Sequence, residues 1–272
     1  MRMGVALVCF VCLLCAYPAC ACTGVVIVGD GHVLVGGNED WQRWDSFVWA
    51  DAATPRLHGV VYFGYEIRGE FGTHQGPFWY EFHGINDAGL YFDSFGAPSA
   101  QPIDADLLKP HFDGRIEQLI MRWCSTVEDA VRLMTQYDPS YMVGQQFLLA
   151  DRMGTAAVVE GSEVVWMTGS TFAVTNFHLS DPSHGNYPCW RYETATRMLA
   201  EDPSPTIDRV AEILEAAHLP STRYSLVCDL VEPLAYVYYG QDFVRPIVID
   251  LAPLWRDGMD RTALGRLRAT RR

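Results

Sequence analysis

Basic residues are scarce in this 272-residue sequence, where 20 Lys and Arg face 33 Asp and Glu for a formal net charge of -13. A phosphate backbone demands clustered Lys and Arg, so this balance excludes nucleic acid as a partner. The one basic cluster, RTALGRLRATRR at the C-terminus, reads as a solvated tail over about 257–272. Internal repeats and low-complexity linkers are absent, which leaves one domain from residue 22 to 272. There is no G-x-G-x-x-G and no P-loop sequence, so a nucleotide-phosphate cradle is not expected. The eight histidines form no H-x-x-x-H or H-E-x-x-H pair, and neither a metal nor a cofactor is expected. Past residue 21 no run is apolar enough to cross a bilayer, so no stable membrane insertion is expected.

What is present begins with residues 1–21, MRMGVALVCFVCLLCAYPACA. One early Arg2, an apolar stretch from Val5 to Ala16 and small residues after Pro18 have the build of a secretory signal peptide. Ala19 and Ala21 occupy the two small positions of an A-x-A site, which places the cut between Ala21 and Cys22 and predicts an exported, periplasmic or secreted protein. Cys9, Cys12, Cys15 and Cys20 leave with that segment, so their C-x-x-C spacing is not read as a metal or redox motif. Cys22, Cys124, Cys189 and Cys228 remain. With one of them a catalyst, at most one disulfide can form among the other three.

The periodicity alternates in blocks. CTGVVIVGDGHVLVGG predicts two strands joined by a tight turn at GDG. Residues 58–67 and the second half of 79–93 read as strands, with a turn at Asn86-Asp87. Between 113 and 136 the pattern is helical, and Ser125-Thr126-Val127-Glu128 forms a capping box opening a second helix. QFLLADRMGTAAVVEGSEVVWMTG returns to strands, helices are expected at 189–200 and 207–218, and three strands follow. Strands and helices in separate blocks fit an α+β fold of two antiparallel sheets with helices outside.

Cleavage after Ala21 would give Cys22 a free α-amine, with a pKa near 7.7–8.0 beside a thiol near 8.5. Amine and sulfur then share one residue, so the amine can take the thiol proton and the thiolate can attack a carbonyl carbon. A lipid-attachment cysteine and an accidental one remain alternative readings of the junction. His178 with Cys124 or Cys189 is a second candidate dyad, although Cys124 lies in an apolar helical stretch with Leu119, Ile120 and Trp123 and reads as core.

Cys22-Thr23, a hairpin, and then Gly36-Gly37-Asn38-Glu39-Asp40 resemble the opening of the choloylglycine hydrolases and penicillin V acylases. These are N-terminal-nucleophile (Ntn) hydrolases acting on linear amides. HGINDAGLYFD (83–93), QFLLADRMGTAAVVEG (146–161), AVTNF (173–177), PCWRYETA (188–195) and the segments within 222–243 resemble further family blocks in the same order. The resemblance implies a four-layer αββα sandwich. It implies Cys22 as nucleophile, Asp40 orienting the α-amine, Asn176 in the oxyanion hole, and Arg191 as positive charge near the thiol. A backbone amide near Ser94–Gly96 is expected as the second oxyanion donor. The family commonly has Arg where this chain has Gly37, and Arg191 or Arg223 are the candidates to compensate. The implied activity is hydrolysis of a small-molecule N-acyl amide such as penicillin V or a bile-salt-like compound, through an acyl-enzyme thioester. An acyltransferase using the same intermediate, and an inactive binding protein or lipoprotein on the same fold, stay open beside it.

Overall fold

The computed structural model describes residues 22–41, 45–67, 78–97, 108–183 and 187–269, so residues 1–21, read above as an export signal, lie outside the described residues. In chain order, β1 (Thr23–Gly29) and β2 (His32–Glu39) are followed by β3 (Ser46–Asp51), β4 (Val60–Ile67), β5 (Phe78–Asn86) and β6 (Leu90–Gly96). Next come α1 (Ile116–Trp123), α2 (Val127–Met134), β7 (Gln145–Asp151), β8 (Ala156–Glu160), β9 (Glu163–Trp166) and β10 (Thr171–Val174). The chain closes with α3 (Trp190–Glu201), α4 (Ile207–Ala216), β11 (Tyr224–Asp229), β12 (Leu234–Tyr239), β13 (Ile247–Asp250), α5 (Ala252–Asp257), β14 (Met259–Ala263) and α6 (Leu264–Ala269). No described helix is long and apolar enough to cross a membrane.

The first hairpin forms as its sequence predicts. Asp30 and Gly31 both hold positive φ, 49° and 83°, which a two-residue loop with the native strand twist requires and Asp-Gly tolerates. Two sheets result, both antiparallel in every pairing. One runs β10-β1-β2-β11-β12-β13 and the other β14-β3-β4-β5-β6-β7-β8-β9.

Alternation along each strand sorts its side chains into three apolar layers. Val26, Val33, Val35, Leu226 and Cys228 of the first sheet meet Phe63, Tyr65, Tyr91 and Leu148 of the second, between the sheets. The other face of the first sheet, with Val25, Ile27 and Leu34, is covered by Ala195 and Leu199 of α3 and Val210 and Leu214 of α4. The outer face of the second sheet, with Tyr62, Phe92 and Leu149, is covered by Ile116 and Ile120 of α1 and Ala130 and Met134 of α2. Helices, sheet, sheet, helices make a four-layer αββα sandwich.

Four sequence readings change. Strand β3 was not anticipated, and WYEFHGIN before the Asn86-Asp87 turn is also strand. The cap of α2 is Thr126, whose side chain accepts from the Asp129 amide at 3.2 Å. Ser125 instead meets His58 Nε2 at 3.0 Å, because the loop before β4 brings that ring over the α1–α2 turn. The C-terminal stretch is no solvated tail over 259–269: β14 pairs with β3, and Leu264 is fully buried. Its apolar residues close the edge of the eight-stranded sheet while Arg261 lies over the rings of Trp49 and Trp79, so its charges sit on a packed surface. Among the described residues no disulfide forms: Cys22, Cys124, Cys189 and Cys228 are all buried thiols, with Cys124 capping the C-terminus of α1.

Candidate active site

Cys22 immediately precedes β1, and the pleat decides what each of its neighbours faces. Its side chain turns into the layer between the sheets, fully buried, while Thr23 turns toward the helices. From that side comes Arg191, in the first turn of α3 and itself buried. Its Nη1 donates to the Cys22 carbonyl oxygen and to Thr23 Oγ1 (3.1 Å), and its Nη2 donates to Asn176 Oδ1 (3.1 Å). One guanidinium thus joins the start of β1 to the segment after β10. A planar fork does this where an ammonium would not.

Asn176 is held from both ends. With Oδ1 on Arg191, its Nδ2 points the opposite way and donates to the Gly96 carbonyl at 2.8 Å. The backbone on either side is pinned by Gln146 Nε2, which donates to the carbonyls of Thr175 and Phe177. An amide nitrogen carries two hydrogens, so one N–H remains beyond the Gly96 bond. The Asn176 amide therefore lies at the end of β6, the place from which a backbone oxyanion donor near Ser94–Gly96 is expected.

Asp40 follows β2 on the same edge. Its Oδ1 accepts from the Thr222 hydroxyl, and its Oδ2 lies 3.9 Å from Arg191 Nη1. Oδ2 is buried without a hydrogen-bond partner among the described residues. Burial pushes this carboxyl up to about 7, against the opposing pull of the Thr222 hydroxyl, Arg191 and His218. An unfolded Asp titrates near 3.9, so between these values the folded chain binds a proton the unfolded chain has released. The stability linked to this site is complete below about pH 4 and is lost as pH rises through about 7. In the uncleaved chain, Asp40→Asn is expected to reduce the fall in unfolding free energy between about pH 4.5 and 7.5 by about 3 kcal/mol. Urea denaturation at the two pH values measures it, and an unchanged difference refutes the buried titration.

The structure therefore brings Cys22, Asp40, Asn176 and Arg191 together from four chain segments. Arg191 sits on the Cys22 carbonyl, so its nearest effect is on the backbone that carries the sulfur. Arg223 does not compensate for Gly37, because it turns outward to Asp45 (3.2 Å) and Tyr239. At Gly37 itself a Cβ would overlap Asp93 Oδ2 and lie 2.8 Å from His83 Nε2, so a side chain there requires those two to shift. Those two side chains, fully buried and 3.3 Å apart, occupy the space, and His83 Nδ1 is 2.9 Å from the Tyr224 hydroxyl. Asn38 of the G-x-N-x-D motif has a structural task, donating to the Leu214 carbonyl (2.9 Å) and accepting from Ser225 Oγ (2.6 Å). Cys189 receives the Thr175 hydroxyl at 3.5 Å, on the same segment as Asn176.

Sequence reasoning missed Thr222, the His83–Asp93 pair and Glu39. Glu39 alone had a local signal. It shares the inward face of β2 with Val33 and Val35, and an acid on an apolar face is an anomaly that alternation exposes.

The αββα sandwich, with Cys22 at the head of β1 and the buried Asn176 and Arg191 beside it, has counterparts among solved structures. Among solved structures, penicillin V acylase from Agrobacterium tumefaciens matches with a TM-score of 0.60 at 19% identity, covering 85% of this chain and 86% of that one. Two variants of conjugated bile acid hydrolase from Clostridium perfringens match with TM-scores of 0.64 and 0.61 at 13% and 14% identity, covering 89% of this chain and 96% of each of theirs. At these identities the shared property is the fold. No family model matches the sequence, and no curated protein does.

Proposed function

We propose that the chain is an exported N-terminal-cysteine amidohydrolase that cleaves a linear, non-peptide C–N bond in an N-acyl amide through an acyl-enzyme thioester. The observation that carries this reading is the convergence of Cys22, Asp40, Asn176 and Arg191 at one end of β1 and β2 in the six-stranded sheet. The fold shared with penicillin V acylase and conjugated bile acid hydrolase supports it.

In the unprocessed chain the Cys22 nitrogen is tied into the peptide bond to Ala21 and has no basic lone pair. Cleavage after Ala21 supplies the base. The α-amine takes the thiol proton, and the sulfur attacks the acyl carbon. The carbonyl π pair moves onto oxygen, where the remaining Asn176 N–H and a backbone amide near Ser94–Gly96 receive it. Each such donor contributes roughly 3 kcal/mol to the barrier reduction. The α-ammonium then protonates the departing amine and the C–N bond breaks, leaving the thioester. Water enters and attacks the acyl carbon as the α-amine takes its proton. The C–S bond then breaks, the ammonium returns the proton to sulfur, and the acid leaves with Cys22 restored. Asp40 Oδ2, buried and unsatisfied, is the acceptor that orients the amine, and Arg191 holds the strand start and the Asn176 amide in register.

Processing is therefore activation. The chain beginning at Cys22 is expected to hydrolyse members of a panel of chromogenic N-acyl amides, while a chain with residues 1–21 retained or with an acetylated Cys22 is inactive. Intact mass identifies each form. Equal turnover with a blocked amine overturns the proposal.

A further inference from the structure

The same inward face of β2 that lacks a side chain at Gly37 carries Glu39 two residues later, and Glu39 reaches the nucleophile. Cys22 Sγ lies 3.8 Å from Glu39 Oε1, within hydrogen-bonding range for sulfur. Both residues are fully buried between the sheets. Glu39 Oε2 has no hydrogen-bond partner among the described residues. A carboxylate with one bare buried oxygen is costly, and a neutral acid far less so. The groups facing Glu39 from the packed elements are Cys22 before β1, Asp93 on β6, Asp40 after β2, Tyr65 on β4 and Tyr224 on β11. None is a cation. Burial first, then the nearby Cys22, Asp93 and Asp40, holds the Glu39 carboxyl well above the usual carboxylate range.

Resting on the N-terminal-nucleophile reading, we propose that Glu39 acts as a neutral carboxylic acid that donates a hydrogen bond to the Cys22 thiolate. It thereby offers the thiolate a donor from position 39, whereas Gly37 has no side chain to give. The protons balance simply. The thiol proton goes to the α-amine, the sulfur pair forms the C–S bond, and the Glu39 proton stays on its carboxyl throughout. While sulfur is protonated, the thiol donates to Oε1; once it is ionised, the direction reverses and O–H donates to sulfur. Charge-assisted bonds of this kind are the stronger ones, and a carboxyl kept neutral so that it can donate is an established use of an apolar site.

The role separates from proton transfer by choice of variant. Glutamine is isosteric and still has an N–H to donate, whereas methionine has neither donor nor charge. In the processed protein, iodoacetamide alkylation of Cys22 near pH 7 is expected to slow about 10-fold in Glu39→Met, with its pH limb displaced upward by about one unit. Glu39→Gln is expected to stay within about threefold of the parent protein, since its amide keeps a donor on the sulfur. A Glu39→Gln variant as slow as Glu39→Met would make Glu39 a proton acceptor and overturn the assignment. Rates unchanged or raised in both would overturn it as well. Should Glu39→Met not fold, infrared difference spectra of the parent and Glu39→Gln decide. A carboxylic-acid C=O band present at pH 7 and lost in Glu39→Gln supports the neutral acid, and its absence refutes it. Cys22→Ala run alongside separates the two levels: unimpaired hydrolysis there defeats the nucleophile reading itself. Loss there with a parent-like Glu39→Met defeats the Glu39 assignment alone.

Discussion

Turnover of an N-acyl amide is expected to fall at least about 10⁴-fold in Cys22→Ala, because removal of a covalent nucleophile leaves only binding and the oxyanion donors. That loss corresponds to about 5.5 kcal/mol of transition-state stabilisation. The fold should survive it. Cys22 contributes a small side chain to the layer between the sheets, and its contact with Glu39 is a weak thiol hydrogen bond. The urea midpoint of the variant should stay close to that of the parent while the acyl-enzyme adduct, seen by intact mass with a slow substrate, disappears. Cys22→Ser keeps a nucleophilic atom of similar reach but with a much higher pKa, and is expected to retain slow acylation. An active Cys22→Ala variant would move the chemistry elsewhere, and the cluster around Arg191 would then be architecture alone.

Arg191→Met is expected to damage both stability and activity, unlike Cys22→Ala. The guanidinium serves three acceptors and lies beside a fourth: the Cys22 carbonyl, Thr23 Oγ1, Asn176 Oδ1 and, at 3.9 Å, Asp40 Oδ2. All belong to buried residues, so deletion of the donor strands polar atoms away from water. Each buried acceptor left without its donor costs about 1–3 kcal/mol, and the unfolding free energy should drop by several kcal/mol. The rate should fall about 100-fold or more even where the variant is folded, since the Asn176 amide loses one of its two anchors once Oδ1 is released. The loss should appear in kcat more than in KM, because the donor acts on the developing oxyanion. Arg191→Lys should recover part of the stability and little of the rate, as one ammonium cannot span both segments. Denaturation midpoints with kcat and KM for the three proteins test this. A folded Arg191→Met with near-parental kcat would show that the fork holds the fold without bearing on the reaction.

The gap at Gly37 illustrates how a departure from a family pattern is absorbed. Read along the sequence, Gly37 is a missing charge. In three dimensions the space is occupied, because His83 and Asp93 on the facing sheet lie where a Cβ would point. The strand register that places His83 opposite Asp93 joins β5 to β6, far in sequence from β2. No local pattern could announce that contact. Glu39, two residues on, was legible as an anomaly but not as a neighbour of sulfur, since that depends on the pairing of β1 with β2.

Local chemistry determined a good deal by itself. Asp30-Gly31 set the first hairpin, alternation in VVIV and HVLV assigned faces, and helical periodicity with turn residues marked α3 and α4. These depend on dihedral preferences and on spacings of two to four residues, which the chain carries wherever it goes. The tertiary structure alone decided that β10 lies beside β1, that β14 closes the far edge of the other sheet, and that Thr222 rather than a near neighbour binds Asp40. It also decided that Arg191 meets Cys22 across 169 residues of sequence. Such contacts are chosen by which apolar faces bury each other, a property of the whole packed sandwich and of no single segment.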